Sequence, residues 1–166
     1  KEYVLYVISL IEALFKIKPS VIHRPDMNVS VIIIPRTNLV SLLKKMGLKT
    51  GNKVRNQAQV PLWILQNKEY GKHCLRGLFD TDGSVYLDRH IYKTKKYATL
   101  AMNFTNHSLP LLSFFKKELE NINLHPTKKT KFAIFLRQKV DIATYFKIVG
   151  SSNPKHLNKI AAYSKK

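Results

Sequence analysis

A helical pattern of apolar residues stops abruptly at two acids and a glycine, and this ending constrains the fold more than any other feature of the sequence. Four side chains recur at helical spacing: Cys74, Leu75, Leu78 and Phe79. They predict a helix over residues 68–82, which Gly83 would end in the left-handed conformation. Residues 84–87 then read as a strand, so the chain passes directly from helix to strand.

Two of the ten acidic residues, Asp80 and Asp82, fall in the last turn of this predicted helix. The helix dipole is negative there, so each carboxylate costs about 0.3–1 kcal/mol unless a cation or a hydrogen-bond donor compensates it. A divalent metal ion would compensate it. The alternative interpretation is an ordinary solvated helix end, which is the commoner one for an isolated Asp-x-Asp-Gly run.

Residues 75–83, Leu-Arg-Gly-Leu-Phe-Asp-Thr-Asp-Gly, resemble the signature of the LAGLIDADG homing endonucleases. The identical positions are Leu75, Gly77, Leu78, Asp80, Asp82 and Gly83. Phe79 is a conservative change, whereas Arg76 and Thr81 stand where the family usually has alanine. The resemblance implies an α/β (α+β) fold of mixed αββαββα repeats, whose antiparallel β-saddle lies in the major groove of DNA.

The resemblance also implies a set of active-site residues. Asp82, with Gly83 beside it, would hold a divalent cation, expected to be Mg²⁺ because all-oxygen ligation suits hard cations. Asp80 would have a more structural role. A catalytic basic residue is expected near the end of the last strand, where Arg137 matches best and Lys139 and Lys131 are rivals; Arg36 occupies the similar place in the first half of the chain.

Two motif helices pack side by side in the family, and the small residues of this helix fit such a contact. Cys74, Gly77 and Thr81, at positions i, i+3 and i+7, form a stripe that would let a second backbone approach closely. The resemblance therefore implies a partner helix, supplied by an N-terminal fragment or by a second copy in a homodimer.

A helix-strand-strand-helix pattern occurs twice in the sequence. The predicted elements are residues 3–17, 20–24, 29–34 and 37–46 in the first copy, and 111–122, 124–128, 131–137 and 140–149 in the second. Only the second copy follows a motif helix and a hairpin, the latter predicted over 84–92 and 97–105. We therefore expect a truncated first repeat (1–47), a basic linker with a docking turn (48–66) and a complete second repeat (67–166), with the second catalytic acid coming from a missing segment or another chain.

The charge of the chain points to a nucleic-acid partner independently of the motif. Lys and Arg number 29 against 10 acids, giving a formal charge of +19. Double-stranded DNA is the expected partner, and a generic RNA-binding protein or an anionic-membrane binder is the alternative; no apolar run approaches the roughly 18 residues of a membrane span. The single cysteine excludes an intrachain disulfide, and no signal peptide is recognisable, so we expect an intracellular, cytoplasmic or organellar protein that is not secreted.

The strands are expected to supply the DNA surface, because period-two alternation gives each a core face and an open face. Leu100, Met102 and Phe104 would face the core, as would Phe132, Ile134 and Leu136. The open-face candidates are Ser84, Tyr86, Asp88, Tyr97, Thr99 and Asn103. The phosphate-contact candidates are Arg89, Lys93, Lys95 and Lys96 in a loop expected over 89–96, Lys128, Lys129 and Lys131 in the second hairpin, Lys53 and Arg55 in the linker, and Arg36. For each of them, plain solvent exposure is the alternative.

These features together predict a site-specific double-strand DNA endonuclease that hydrolyses phosphodiesters with a divalent metal at Asp82. A different class stays open beside it: a non-catalytic DNA- or RNA-binding derivative, such as an intron maturase or a regulator. Zinc chemistry has little support, because the six histidines are scattered and one cysteine cannot build a structural site.

Overall fold

The computed structural model describes residues 2–27 and 29–164. The chain divides into two compact units, Lys1–Lys45 and Met46–Lys166. None of the helices in the described ranges is long and apolar enough to cross a membrane.

The first unit has the predicted order of helix, strand, strand and helix. Its elements are α1 (Glu2–Phe15), β1 (Ser20–Arg24), a 3₁₀ turn (Pro25–Met27), β2 (Val29–Ile33) and α2 (Thr37–Lys45). The strands pair antiparallel as a two-stranded sheet. Helix α1 ends two residues before the expected position, because Lys16 adopts a left-handed conformation (φ 53°).

The second unit contains the order αββαββα, which confirms the predicted fold class. Its elements are α3 (Leu62–Leu65), α4 (Lys68–Asp82), β3 (Gly83–Tyr92), β4 (Lys95–Thr105), α5 (Leu109–Asn121), β5 (Thr127–Thr130), β6 (Ala133–Leu136), α6 (Lys139–Ile148) and α7 (Pro154–Ser164). The four strands form an antiparallel sheet in the order β3-β4-β6-β5. The motif helix α4 begins and ends at the predicted residues.

The hairpin between β3 and β4 is tighter than predicted. The loop expected over residues 89–96 is wrong, because Arg89 lies in β3 and both Lys95 and Lys96 lie in β4. A two-residue turn joins the strands, and Lys93 in that turn has a positive φ of 53°. Such a turn matches the right-handed twist of paired strands, which explains why the ladder continues to its end.

The second hairpin is shorter than the alternation predicted. Residue 124 was expected to begin a strand, but buried Leu124 instead closes the end of α5, where its N–H donates to the Leu119 carbonyl after left-handed Asn123 (φ 58°). Lys131 and Phe132, expected in β6, form the turn before it. Phe132 is therefore only half-buried and stacks on His107 with ring centroids 4.4 Å apart.

The core of the second unit lies between one face of the sheet and helices α4, α5 and α6. The sheet contributes the buried residues Val85, Leu100, Met102, Phe104, Ile134 and Leu136. Leu75 and Phe79 enter this core from α4, and the Phe104 and Phe115 rings stack at 4.1 Å between β4 and α5. The opposite face of the sheet, called the open face below, carries Ser84, Tyr86, Asp88, Thr99, Asn103 and Phe135 by register.

Candidate functional site

The motif helix ends with both acids in its last turn, as predicted. Its start is capped by Asn67, whose side chain accepts hydrogen bonds from the N–H groups of Glu69 and Tyr70. The predicted left-handed ending is wrong, since Gly83 is extended (φ −88°) and already begins β3. The position excludes a side chain for a steric reason: a Cβ atom there would lie 2.2 Å from the Phe79 ring.

Asp82 is neutralised by groups of the chain itself. Its Oδ2 atom accepts hydrogen bonds from the Lys53 ammonium at 2.7 Å and from the Asn106 side-chain amide at 2.8 Å. The Asp82 side chain is 28% exposed, so the site is open to solvent on one side. A cation and a donor thus offset the cost of placing this carboxylate at a helix C-terminus.

Lys53 reaches Asp82 because the linker is anchored on the start of α5. Gln57 accepts a hydrogen bond from the Leu109 N–H at 3.0 Å, and the Ser108 hydroxyl donates to the Ala58 carbonyl at 2.5 Å. Lys53, expected on a DNA phosphate, is therefore paired inside the chain. Arg55, in the same turn of the linker, is exposed.

Asn106 is a site residue that the sequence reasoning missed. It is buried, its Oδ1 accepts the Ser108 N–H at 2.8 Å, and its own N–H donates to the Phe132 carbonyl. These contacts fix the amide that holds Asp82. The detectable signal was an Asn-x-Ser sequence between a strand and a helix, where asparagine commonly bonds the backbone two residues on.

The donor set around Asp82 fits a hydrated Mg²⁺ ion. Within the described ranges no three His, Cys, Asp or Glu side chains lie close enough together to form a closed protein cage for a metal ion. Mg²⁺ commonly binds through one or two carboxylates, keeps several waters and takes further ligands from substrate phosphates. Both hydrogen bonds of the carboxylate go to Oδ2, and Oδ1 accepts none from the described residues.

Asp80 anchors the segment that precedes α7. The side chain is buried, and its two oxygens accept hydrogen bonds from the Ser151 hydroxyl at 2.5 Å and the Ser152 N–H at 2.9 Å. The Asn153 amide donates to the Asp80 carbonyl at 2.8 Å. The two motif acids therefore have different surroundings: Asp82 is accessible, whereas Asp80 joins α4 to α7.

The two basic residues expected to be catalytic have other partners. Arg137 follows β6 and pairs with Asp88, with Nη1 2.5 Å from Oδ2. Its guanidinium also lies over the Phe135 ring, 5.2 Å from the centroid. The Lys139 ammonium lies 5.7 Å from the centroid of Tyr163 in α7. A catalytic role for either residue stays a prediction.

The remaining DNA-contact candidates divide between the open face and exposed loops or strand ends. Ser84, Tyr86, Asp88 and Asn103 are half-exposed on the open face, while Thr99 is exposed and exposed Tyr97 stacks on His90 at 5.6 Å. The exposed basic candidates are Arg89, Lys93, Lys95, Lys96, Lys128, Lys129 and Lys131. Arg36 is exposed in the first unit, whereas Asp82 belongs to the second.

The small-residue stripe of α4 is only partly open. Cys74 packs against an apolar cluster of Val60, Leu111 and Phe114, and burial raises the pKa of its thiol to about 11. Gly77 and Thr81 are exposed, and a Cβ atom at Gly77 would meet no other atom within 4 Å. The α4 open face, as the structure has it, consists of Tyr70, His73, Gly77 and Thr81.

An αββαββα unit with an acid at the end of its first helix defines the class of the protein. The family described as "LAGLIDADG-like domain" matches residues 69–160, from the first turn of α4 into α7. The chain therefore belongs to the LAGLIDADG family, which indicates a homing endonuclease or a maturase-like protein. No curated protein shows significant similarity to the chain.

Proposed function

We propose that the chain is a site-specific, metal-dependent endonuclease that cuts double-stranded DNA, of the homing endonuclease type. The observation that carries the proposal is the position of Asp82. This accessible acid is the last residue of α4, and β3 starts at the next residue, Gly83. Ser84, two residues after Asp82, is the first residue of β3 on the open face. A phosphodiester of DNA lying along that face would come close to the carboxylate.

The open face has the chemistry expected of a surface that reads bases. Tyr86, Thr99 and Asn103 present hydroxyl and amide groups, which can donate and accept hydrogen bonds at base edges. Basic side chains lie at the hairpin turn and in β5, where Lys93, Lys128 and Lys129 would contact phosphates. The formal charge of +19 would add strong, salt-dependent attraction.

The chain's own residues would hold the reacting groups in place. A bound divalent cation supplies charge stabilisation for the phosphate and lowers the pKa of a bound water. Asp82 would be its protein ligand, with the neighbouring Gly83 backbone as a further candidate. Asn106 keeps the Asp82 carboxylate in one orientation through the bond to Oδ2. Arg137 and Lys139 remain candidates for binding the phosphate.

Cleavage of both strands requires a second acid, because Asp82 serves one scissile phosphate. We propose that another motif helix supplies it, from an N-terminal segment or from a second copy of this chain. The α4 open face is suited to this contact, since the exposed Gly77 lets another backbone approach closely.

A maturase or another non-catalytic nucleic-acid-binding protein is the second candidate. The observation that favours it is the Lys53–Asp82 ion pair, because a carboxylate already neutralised within the chain does not need a metal ion. The basic surface would serve RNA binding as well as DNA binding.

Cleavage of a plasmid library in Mg²⁺ distinguishes the two candidates. We expect specific linear products from the wild type, none from Asp82→Asn, and unchanged products from Asp26→Asn, which removes a surface acid of the first unit. Light scattering with and without duplex then gives the stoichiometry, and two motif helices per cut site are expected. A chain that binds duplex with two motif helices per site and still yields no product is the binding protein.

A further inference from the structure

The contact between Lys53 and Asp82 has a consequence for metal binding. The Nζ atom lies 2.7 Å from Oδ2, and the lysine comes from the linker rather than from the sheet. Taking the proposed function as the starting point, we propose that the Lys53 ammonium competes with the divalent cation for Asp82. Metal binding at Asp82 is then weaker for as long as Lys53 stays on the carboxylate.

The competition follows from electrostatics at short range. A Mg²⁺ ion binds carboxylate oxygen at about 2.1 Å, so an ion on Oδ2 would lie at most about 5 Å from Nζ. An ion on Oδ1 of the same carboxylate would lie only slightly farther from Nζ. A divalent ion and an ammonium at that separation repel each other strongly, even in a largely aqueous medium. The ammonium therefore weakens metal binding as long as it stays in contact.

The contact is weak enough to exchange. The Lys53 side chain is 53% exposed and Asp82 is 28% exposed, and ion pairs of this kind contribute little net stability. Asn106 is held separately by the Ser108 N–H and the Phe132 carbonyl. Asp82 consequently keeps one donor and its orientation after Lys53 leaves.

DNA offers the displaced lysine a new partner. A backbone phosphate near Asp82 would accept the ammonium in place of the carboxylate, so metal and DNA would bind with positive coupling. Lys53 then weakens metal binding to the free protein and no longer opposes metal binding in the complex with DNA. In this arrangement Lys53 is a positioning residue that acts through Asp82.

The competition can be measured without DNA and without cleavage. Mn²⁺ alone is titrated into ¹⁵N-labelled protein, and the paramagnetic broadening of the Gly83 amide signal reports the cation at Asp82. Lys53→Met removes the charge and keeps an unbranched side chain that is one atom shorter. Lys49→Met is the matched control, because Lys49 is an exposed lysine of the same linker. The amide spectra of the variants show whether each is folded.

We expect Lys53→Met to lower the half-broadening concentration of Mn²⁺ about tenfold, the effect of removing one positive charge near 5 Å in water. Lys49→Met should change it less than about twofold on the same argument. Asp82→Asn should abolish the broadening in both backgrounds. If Lys53→Met and Lys49→Met have the same half-broadening concentration while Asp82→Asn still abolishes the broadening, the proposed competition is wrong and the proposed metal site stands. If Asp82→Asn leaves the broadening intact, the metal site itself is wrong, and the proposed function with it.

Discussion

Arg137 and Asp88 form an ion pair on the open face of the sheet, with Nη1 of the arginine 2.5 Å from Oδ2 of the aspartate. Asp88 lies on the edge strand β3 and Arg137 follows β6, so the pair spans β4 between them. Ala101 on β4 is buried although its register places it on this face, and its small side chain leaves room for the arginine to cross. A surface proposed to bind DNA thus contains an acid that is neutralised in advance.

Replacing Asp88 by asparagine should strengthen non-specific binding to duplex DNA. The change removes a negative charge and frees Arg137 for a phosphate, so the slope of log Kobs against log salt should steepen by about one. Fluorescence anisotropy of labelled duplex at several salt concentrations measures this slope. Glu120→Gln is the matched control, because this acid lies in α5 on the core side of the sheet and pairs with Lys116. Equal slopes for the two variants would show that the open face does not meet the phosphates.

Removing the Asp80 carboxylate should destabilise the second unit. Asp80→Ala leaves the Ser151 hydroxyl and the Ser152 N–H without their acceptor in a largely buried place, at a cost of about 3 kcal/mol. Asp80→Asn keeps one acceptor oxygen and should cost about half as much. Urea unfolding measures both. An Asp80→Ala variant as stable as the wild type would mean that the segment before α7 is not held by this side chain.

The two glycines of the motif should respond oppositely to alanine. Gly83→Ala puts a Cβ atom 2.2 Å from the Phe79 ring and 2.4 Å from its carbonyl oxygen, so we expect a loss of about 3 kcal/mol. Gly77→Ala meets no atom within 4 Å and should stabilise the helix by about 0.5–1 kcal/mol. Thermal unfolding of the two variants tests the difference, and a stable Gly83→Ala protein would contradict the packing at the start of β3.

Gly77→Ala also tests the α4 open face as a contact surface. If another motif helix packs there, the added methyl group separates the backbones and the variant should self-associate less, although its fold is more stable. Sedimentation equilibrium gives the association constant. Val140→Ala provides a comparison, because this apolar residue is 74% exposed and belongs to α6 rather than to α4. Similar association of Gly77→Ala and the wild type would place the contact elsewhere.

The elements that sequence predicted well are those with long periodic signals. The helix over residues 68–82 and the inward residues Leu100, Met102 and Phe104 follow directly from spacing. Short elements were less predictable. An apolar residue such as Leu124 fits the start of a strand and the residue that closes a helix equally well, and the structure has the second. The ion pair of Lys53 with Asp82 joins residues 29 positions apart, and no local pattern records such a contact.

His156 should make the stability of the protein fall in mild acid. The ring is buried against Phe79, with centroids 4.7 Å apart, and neither ring nitrogen has a hydrogen-bond partner among the described residues. Burial lowers the pKa of His156 below its ordinary value of 6.5, although nearby Asp80 opposes the shift.

The sign of the effect follows from the lowered pKa. The unfolded chain takes up a proton at His156 near pH 6.5, whereas the folded protein still excludes it because its pKa is lower. The contribution of the neutral ring to the free energy of unfolding is therefore fully present above pH 6.5 and is lost as the pH falls through the folded-state pKa. His156→Phe retains an aromatic ring against Phe79. In this variant the urea concentration at the midpoint of unfolding should depend less on pH between pH 8 and pH 5. His90→Phe, at an exposed strand position stacked on Tyr97, serves as the control and should leave the profile unchanged. A profile that keeps its full slope in His156→Phe would assign the acid sensitivity to another group.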